Sequence, residues 1–502
     1  MAYTHYDRLT ALDASFLGIE DHNAHMHVGS IGLFDAAPLR RSRGGLDTER
    51  ILEMSDSALS RYPRFRQKLA YVPVLGDPVW VDDDRFNLHY HVRHTALPPP
   101  GDERQLKRLA GRIMSQQLDR GKPLWELWYV EGLSGDRFAV ITKVHHCMVD
   151  GVSGADLMAA MMHPDPNGSL VSAPRWLPRP APGSARLLAD ELMRRGALPF
   201  DIVRGARALL ARPRRTLSSA QDALLSIGEA LSATMTPASP TPINCTIGPH
   251  RRFDWTKMDI DVVKEIKNRH GGTINDAVLA IVAGAMRRFL RRRGEQVDDL
   301  VFRAMIPVNV RDAAEQGRLG NRVSFLMAPL PLAERDPASR MGRVIETMQG
   351  LKHSKQRRGG ELIEEVSDRL STGLFAQIAR LGARTQPYNM VVTNVPGPQF
   401  PVYLLEAKLR EVYPLVPLFS NQALGIALFS YDGGLYWGFN ADWDAVPDLH
   451  DVVGFVDAEC QALLAGAARA PVAPARAQPS QPAARARRAA GVRRAHRVAA
   501  RR

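Results

Sequence analysis

Residues 145–151 read His-His-Cys-Met-Val-Asp-Gly and follow directly on the run RFAVITKVH at residues 137–145. That run is rich in β-branched and apolar residues, which predicts a buried strand. Asp150-Gly151 ends the strand, and apolar residues at helical spacing follow from Val152 to Met162. The local order is therefore strand, polar turn and helix, as in a mixed α/β lobe.

The two histidines are predicted to face different surroundings, because successive side chains on a strand point to opposite faces. One imidazole is then able to reach a substrate while the other packs inward. Asp150 can fold back to fix the turn, and Gly151 allows a conformation that a Cβ would obstruct. A neutral imidazole accepts a proton from an alcohol, amine or thiol, as a general base in acyl transfer must. A chance HHxxxDG pattern is expected on the order of 10⁻³ per chain, which favours a functional site over a structural turn.

The same segment has the residue types of two other kinds of site, a metal site and a cysteine nucleophile. His, His and Asp are all metal ligands, but adjacent histidines on opposite faces chelate poorly, and the helical i, i+4 pair is missing. Cys147 could act as a nucleophile beside His146, but Cys is commonly a small buried filler and neighbours on a strand diverge. We therefore expect neither a metal nor another cofactor.

Length and charge limit the classes of function. A chain of 502 residues is too long for one ordinary core and suggests at least two domains. The net charge is +13, but residues 461–502 hold ten Arg and no acid, so the body carries about 13 − 10 = +3. Nucleic acid is therefore not an expected partner, and the tail lacks the aromatic residues that stack on bases.

Cysteine content and hydropathy bear on location. Three cysteines without a CxxC pair argue against a disulfide framework or structural zinc, and favour a reducing cytoplasm. The first ten residues lack the apolar core of a signal peptide. No apolar run approaches the ~20 residues of a membrane span. We expect contact with lipid, if any, to be peripheral.

The chain is predicted to have four parts. Residues 1–165 form a first lobe with HHxxxDG, 166–240 a basic and partly amphipathic linker, 241–465 a second lobe, and 466–502 a disordered Ala/Arg/Pro tail. Within the linker, residues 184–215 combine eight Arg with three acids and several apolar positions. Such a stretch either binds an anionic lipid surface or packs across the lobes as a helix.

The second lobe shows clear signals for its elements. They predict a helix from Ile260 to His270 ended by Gly271-Gly272, a helix from Ile274 to Leu290 capped by Thr273 and Asp276, a strand from Leu300 to Val310, a hairpin of Ala423 to Tyr431 with Leu435 to Asn440 around Asp432-Gly433-Gly434, and a closing helix from Pro447 to Ala465.

HHCMVDG resembles the HHxxxDG signature of the chloramphenicol-acetyltransferase-like superfamily, which includes CoA-dependent acyltransferases and peptide-synthetase condensation domains. Seven further segments, in order from about Leu9 to Ala465, resemble the bacterial wax ester synthase/diacylglycerol acyltransferase family. They are LTALDASFLGIED (9–21), YPRFRQKL (62–69), KPLWELWYVEGL (122–133), GGTINDAVLAIVAGAMRRFL (271–290), MIPVNVRD (305–312), LGNRVSFLMAPLPL (319–332) and TNVPGPQ (393–399).

The resemblance implies an α/β fold with two chloramphenicol-acetyltransferase-like lobes and a substrate tunnel between them. It also implies an acyl-CoA-dependent O-acyltransferase that esterifies diacylglycerol to triacylglycerol, or long-chain alcohols to wax esters, without an acyl-enzyme. His146 would be the general base, reached from both ends of the tunnel. His145, Asp150 and Gly151 would complete the motif around it.

Other residues come from the same resemblance, each beside a plainer reading. Asn275 would act at the site, whereas Asp276 would support it or simply cap a helix. Arg311 would pair with Asp150, and its plainer role is that of an exposed surface residue. The substrate tunnel would be lined by Pro123 and Trp125, whose plainer role is packing, and by Asn394 and Gly397, whose plainer role is a turn.

Two further alternatives remain. A condensation-type or other acyltransferase of the superfamily would share HHxxxDG but take amine or carrier-bound substrates, and the later segments argue against it. A non-catalytic lipid-body protein could use the amphipathic stretch alone, but the intact motif argues against lost catalysis. The expected partners are acyl-CoA, diacylglycerol or a long-chain alcohol, and an anionic membrane or lipid-body surface.

Overall fold

Two six-stranded β-sheets, each packed against helices, organise the chain between residues 5 and 467. The structure is a computed structural model, and it describes residues 5–148, 160–166, 173, 175–195, 236–309, 323–353 and 386–467. The strands are β1 Asp7–Arg8, β2 His27–Asp35, β3 Gln67–Tyr71, β4 Pro78–Asp82, β5 Val92–Ala96, β6 Trp125–Leu133, β7 Arg137–His145, β8 Arg251–Asp259, β9 Arg303–Asn309, β10 Val323–Pro329, β11 Met390–Pro396, β12 Tyr403–Leu404, β13 Ala407–Leu415, β14 Leu424–Tyr431 and β15 Gly434–Asp442. The helices are α1 Ala11–Ile19, α2 Thr48–Ser60, α3 Leu88–His91, α4 Glu103–Met114, α5 at 184–195, α6 Ile260–His270, α7 Ile274–Arg292, α8 Pro337–His353 and α9 Leu449–Ala467.

The first sheet has the order β12-β13-β2-β7-β6-β5. Its central strand β7 is the strand predicted before HHxxxDG, and its bounds are those expected from the sequence. β2 runs antiparallel to β7 along its whole length, with His27 directly opposite His145. This register fixes the end of β7, because each backbone group there has a neighbour on both sides.

The second sheet has the order β10-β9-β11-β14-β15-β8, and helices α6 to α9 pack with it. The predicted elements of this lobe are confirmed, with small shifts at their ends. α6 stops at Gly271, whose φ of 76° is left-handed, and α7 starts with a capping box between Thr273 and Asp276. The mixed α/β class with two lobes is therefore confirmed.

Strands β12 and β13 come from the C-terminal half of the chain but lie in the first sheet. β13 pairs antiparallel with β2, for example Tyr413 with Ile31. This exchange is not predictable from the sequence. The alternation of apolar and polar residues indicates which face of a strand is buried, but not which strand it pairs with. The exchange ties the two lobes together.

The two lobes contact each other through the residues just before β2 and through α4. Phe16, Ala24 and Met26, from the first lobe, are buried in the hydrophobic core of the second. α4 lies so close to β8 that a Cβ on Gly111 would stand 2.7 Å from the carbonyl oxygen of Arg251. The residues just before β2 therefore sit where the two lobes meet.

A three-stranded sheet, β1-β4-β3, forms a side layer that carries the described part of the linker. Leu187 of α5 packs there with Val72, Val79 and Val81. No helix in the described part of the chain is long and apolar enough to cross a membrane. Most of the linker after α5, most of the helix predicted from Val152, and the predicted tail beyond residue 467 lie outside the described residues, whereas residues 466 and 467 belong to α9.

Candidate active site

The two motif histidines sit on either side of a change in backbone structure. His145 is the last residue of β7, and His146 opens a single 3-10 turn that ends at Met148. The His145 N–H donates to the carbonyl of Leu124 at 2.9 Å, and the His146 N–H donates to the carbonyl of Met26 at 2.7 Å. These backbone hydrogen bonds fix the turn, and the two rings point in different directions.

His145 is buried and has both ring nitrogens directed at protein groups. Its Nδ1 accepts from the Cys147 N–H at 3.1 Å, so the ring proton lies on Nε2. That nitrogen stands 3.5 Å from a carboxylate oxygen of Glu20. Burial lowers the pKa of His145, although Glu20 acts against this shift. His145 is therefore a neutral, oriented support and not an exposed base.

Glu20, just beyond the end of α1, is a buried carboxylate that the sequence reading did not single out. Arg120 contacts one of its oxygens through Nε at 3.1 Å and Nη2 at 2.5 Å. Burial raises the pKa of Glu20, but hydrogen bonds and charge from His145 and Arg120 outweigh burial and lower the pKa to about 2. Glu20 is thus ionised at neutral pH and balances the Arg120 guanidinium.

His146 has a different environment. Its ring stacks on Phe16 with centroids 3.9 Å apart and planes inclined by 23°. Its Nδ1 is buried and has no hydrogen-bond partner among the residues that the structure describes. Desolvation lowers the pKa of His146 to about 4. The ring is therefore unprotonated at neutral pH, which is the form that a general base requires.

Cys147 shows the features of a core residue. Its thiol is buried, and burial raises its pKa well above the ordinary value. A thiol nucleophile needs a lowered pKa and an electropositive setting. The structure therefore gives no support to the alternative in which Cys147 attacks the substrate.

Three residues of the predicted site lie outside the described part of the chain: Asp150, Gly151 and Arg311. The pairing of Asp150 with Arg311 therefore stays a prediction. Among the described residues, no group of three or more His, Cys, Asp or Glu side chains is arranged to hold a metal ion.

Asn275 and Asn394, predicted separately from two sequence segments, meet in the structure. The Asn394 Nδ2 donates to the Asn275 Oδ1 at 2.7 Å, which joins the first turn of α7 to the end of β11. No hydrogen bond between described residues links this pair to His145 or His146. Asp276 is buried, and its carboxylate accepts from the Thr273 N–H at 2.7 Å, so its position is that of a helix cap.

Trp125 is packed in the core of the first lobe, and its place beside a substrate tunnel stays a prediction. Its indole N–H donates to the carbonyl of Phe65 at 2.8 Å, and its ring stacks on His91 with centroids 4.5 Å apart. Pro123 is buried beside it. The contribution of this segment to the site is indirect, since the carbonyl of Leu124 anchors the backbone of His145.

Gly397 follows β11 and is required by close packing. A Cβ at this position would stand 2.3 Å from the ring of Phe429 and 2.5 Å from the carbonyl oxygen of Ser430. The Gly397 N–H donates to that same carbonyl at 2.9 Å. The glycine thus fixes the chain just beyond Asn394, which supports a positional role.

A cavity of about 440 Å³ opens next to Glu20. One wall comes from residues 18–21 of the first lobe, and the others come from residues 386–388 and 419–422 of the second. Glu20 both lines this cavity and stands 3.5 Å from the ring of His145. The motif therefore adjoins space of a size typical for small-molecule sites.

Two family models cover most of the chain that forms this site. Residues 9–278 match the wax ester synthase/diacylglycerol acyltransferase catalytic domain, and residues 319–463 match the C-terminal domain of the same family. This chain belongs to the wax ester synthase/diacylglycerol acyltransferase family. The resemblance drawn from the sequence segments is thereby confirmed, and the chain is an acyltransferase of that family.

Relatives in this family agree with the assignment. A Mycobacterium tuberculosis protein named as a diacylglycerol O-acyltransferase is 33% identical over 464 residues, which is 90% of this chain and 89% of that one. The wax ester synthase/diacylglycerol acyltransferase from Marinobacter aquaeolei VT8 superposes with a TM-score of 0.64 at 25% identity, and the match covers 92% of this chain and 100% of that one.

A more distant structure shares only the fold. The starter condensation domain of rhizomide synthetase matches with a TM-score of 0.54 at 14% identity, over 92% of this chain and 94% of that one. The two-lobed architecture expected from HHxxxDG is therefore the architecture of the wax ester synthase/diacylglycerol acyltransferase family and of condensation domains alike.

Proposed function

We propose that the chain transfers the acyl group of an acyl-CoA to the hydroxyl of diacylglycerol or of a long-chain alcohol, with His146 as the general base. The observation that carries this proposal is the unprotonated imidazole of His146, which packs on Phe16 where the lobes meet. The names of the relatives support the choice of acceptor class.

The reaction needs no covalent enzyme intermediate. His146 removes the hydroxyl proton as the acceptor oxygen attacks the thioester carbonyl, and a tetrahedral oxyanion forms. Collapse of this intermediate breaks the carbon–sulfur bond and expels CoA thiolate, which takes the proton from the imidazolium. Asn275 is the candidate oxyanion donor: Asn394 occupies its Oδ1, so its Nδ2 is directed elsewhere.

No metal or other cofactor takes part in the proposed chemistry, because a thioester is already an activated acyl donor. Treatment with EDTA is expected to leave the rate of ester formation unchanged. A loss of activity that one specific metal ion restores would overturn this part of the proposal.

The direct test offers palmitoyl-CoA to the purified protein with dipalmitoylglycerol, with hexadecanol or with an amine of similar length. We expect ester and free CoA to form in equal amounts with at least one of the two alcohols. Acylation of the amine alone would instead support the condensation-type alternative, and CoA release with free acid and no ester would show thioester hydrolysis and contradict the proposal.

We further propose that the protein reaches lipid acceptors by binding an anionic membrane or lipid-body surface through the region of α5. Leu187 and Glu191 of this helix are turned inward, whereas Leu192 and Met193 are 55% and 67% exposed. Arg194 and Arg195 both contact Glu191, and Arg195 also contacts Asp77. The exposed apolar pair is therefore the better target for a test than these two arginines.

The test is flotation with anionic vesicles, using protein truncated after Ala467 to remove the Arg-rich tail. Replacing Leu192 and Met193 with Ser is expected to weaken flotation at low salt. Val301→Ser is the control, since Val301 is 46% exposed and lies in the second lobe. Equal flotation of the double variant and the control would contradict this binding surface.

A further inference from the structure

We propose that Arg120 and His27 are positioning residues for the proposed acyl transfer. They hold the Glu20 carboxylate against His145, and through His145 they fix the turn that presents His146. The inference rests on the proposed function, because it assigns these side chains to the support of the same catalytic base.

Arg120 links three parts of the site at once. Its Nε and Nη2 contact one carboxylate oxygen of Glu20, and Nη2 also donates to the carbonyl of Leu17 at 2.9 Å. Leu17 follows Phe16 in α1, and Phe16 is the residue on which His146 stacks. One guanidinium therefore fixes both the partner of His145 and the end of the helix that packs on His146.

His27 faces the other oxygen of the same carboxylate without a hydrogen bond to it. The β2–β7 register places it opposite His145, with ring centroids 6.1 Å apart. Its Nε2 stands 3.7 Å from Glu20 Oε1, while the His145 Nε2 stands 3.5 Å from Oε2. The carboxylate thus lies between two imidazoles, and Arg120 donates the hydrogen bonds that orient it.

The plainer interpretation is a buried ion pair that only stabilises the fold. The two interpretations differ in their dependence on pH. Five side chains on three parts of the chain face Glu20. They are His145 and Lys143 on β7, His25 just before β2 and His27 at its start, and Arg120 in the loop after α4. Of these, Arg120 is the fixed positive charge that contacts the carboxylate.

Loss of Arg120 has a defined consequence for the carboxylate. The lowering of the Glu20 pKa by the hydrogen bond and charge of Arg120 would be lost, so Glu20 would take up a proton at higher pH than it does now. A protonated Glu20 has no negative charge and attracts the Nε2–H of His145 less strongly. Support for the turn is then lost as the pH falls, so the acidic limb of the pH–rate profile should move upward.

The experiment compares Arg120→Gln with Arg340→Gln. Arg340 is a matched control, because it is also buried and paired with a carboxylate, that of Glu459, but lies in the second lobe. For Arg120→Gln we expect kcat to fall about tenfold at pH 7.5 with KM for palmitoyl-CoA little changed, and the acidic limb of kcat/KM to rise by about one pH unit or more. Arg120→Lys should restore part of the acidic limb, since it keeps the charge but not the two-point contact.

A second pair of variants keeps the test independent of the folding of Arg120→Gln. His27→Phe should lower kcat, whereas His91→Phe, which alters another buried histidine of the first lobe, should leave kcat within about twofold of the parent. Parental pH profiles in Arg120→Gln, or parental kcat in His27→Phe, would overturn the proposal.

The proposed function can fail separately. If the parent protein forms no ester, the acyltransfer proposal falls, whatever the variants do. Positioning is then still measured by NMR titration of the histidine ring protons. Arg120→Gln should change the titration of His145, and Arg340→Gln should not. An unchanged titration in both variants would contradict the role of Arg120.

Discussion

His145 and His146 are neighbours in the chain with identical side chains and different surroundings. His145 accepts from a backbone N–H at Nδ1, and its Nε2 faces an ionised carboxylate 3.5 Å away. His146 is stacked on an apolar ring and is held unprotonated by desolvation. The difference arises from the end of β7, where the chain leaves the strand between the two residues.

At the same scale, we predict that Asp150 pairs with Arg311. A carboxylate that folds back into the motif turn needs a cationic partner if it is buried. Asp150→Asn and Arg311→Met should each lower the free energy of unfolding by about 2 kcal/mol, and the double change should lower it by less than the sum. Additive losses in urea unfolding would contradict the pair.

The sequence identified the motif residues but not their support. Alternation along a strand predicted different surroundings for the two rings, and the structure has them because the chain leaves the strand at His146. Glu20, Arg120 and His27 could not be found in that way, because each stands alone in its segment and they meet only through the fold. The single available signal was the position of Glu20 within LTALDASFLGIED.

Among the elements, α7 begins with two neighbours that are predicted to have separate roles. Asp276→Ala should lower the free energy of unfolding by about 1 kcal/mol, because it removes the capping box, with little effect on kcat. Asn275→Ala should lower kcat with little effect on the free energy of unfolding. Asn394→Ala should lower kcat in the same way, because the two side-chain amides are hydrogen-bonded to each other. Rate assays and thermal melts on the three variants separate the roles. A loss of kcat in Asp276→Ala alone would contradict this division.

The packing of α7 against α8 and α9 depends on Gly284. A Cβ there would stand 2.2 Å from a carboxylate oxygen of Glu459 and 2.6 Å from Arg340 Nη2, so Gly284→Ala should force this buried ion pair apart. We expect a loss of about 2 kcal/mol in the free energy of unfolding.

Gly342→Ala provides the control for Gly284→Ala, since Gly342 lies in α8 with open space around its Cβ position. This variant should be neutral or more stable by about 0.5 kcal/mol, because alanine favours the helix. Chemical denaturation of both proteins checks the pair of predictions, and equal stability of the two would contradict them.

The types and ends of the helices and strands were largely predictable, because the capping and turn residues lie next to the element that they end. Thr273 with Asp276, Gly271, and Asp432-Gly433-Gly434 each mark an end that the structure confirms. The pairing of β13 with β2 was not predictable. Nothing in a strand's own residues says which sheet edge it will join, and β13 joins the sheet of the other lobe.

For the whole molecule, buried neutral histidines should make the fold sensitive to acid. Burial lowers the pKa of His25, His27, His91 and His145, that of His91 to about 4. The unfolded chain binds these protons near pH 6.5, whereas the folded chain binds them only at lower pH. Stability is therefore full above about pH 6.5 and is lost as the pH falls toward 4.

His91 allows this prediction to be measured. Its shift alone should remove about 2 kcal/mol of the free energy of unfolding between pH 7.5 and pH 5. His91→Phe keeps the stacking against Phe86 and Trp125 but has no proton to bind. Urea unfolding should show a smaller loss over this range in the variant, and an equal loss would contradict the argument.

We propose that His146 is the base of an acyl transfer reaction. The measurement that decides this is the rate at which purified His146→Ala protein forms ester from palmitoyl-CoA. We predict a fall in kcat of about 10³-fold with the melting temperature largely retained, a smaller fall with some loss of stability in His145→Ala, and near-parental activity in Cys147→Ala. Folded His146→Ala protein that forms ester at the parental rate would contradict the assignment of the base.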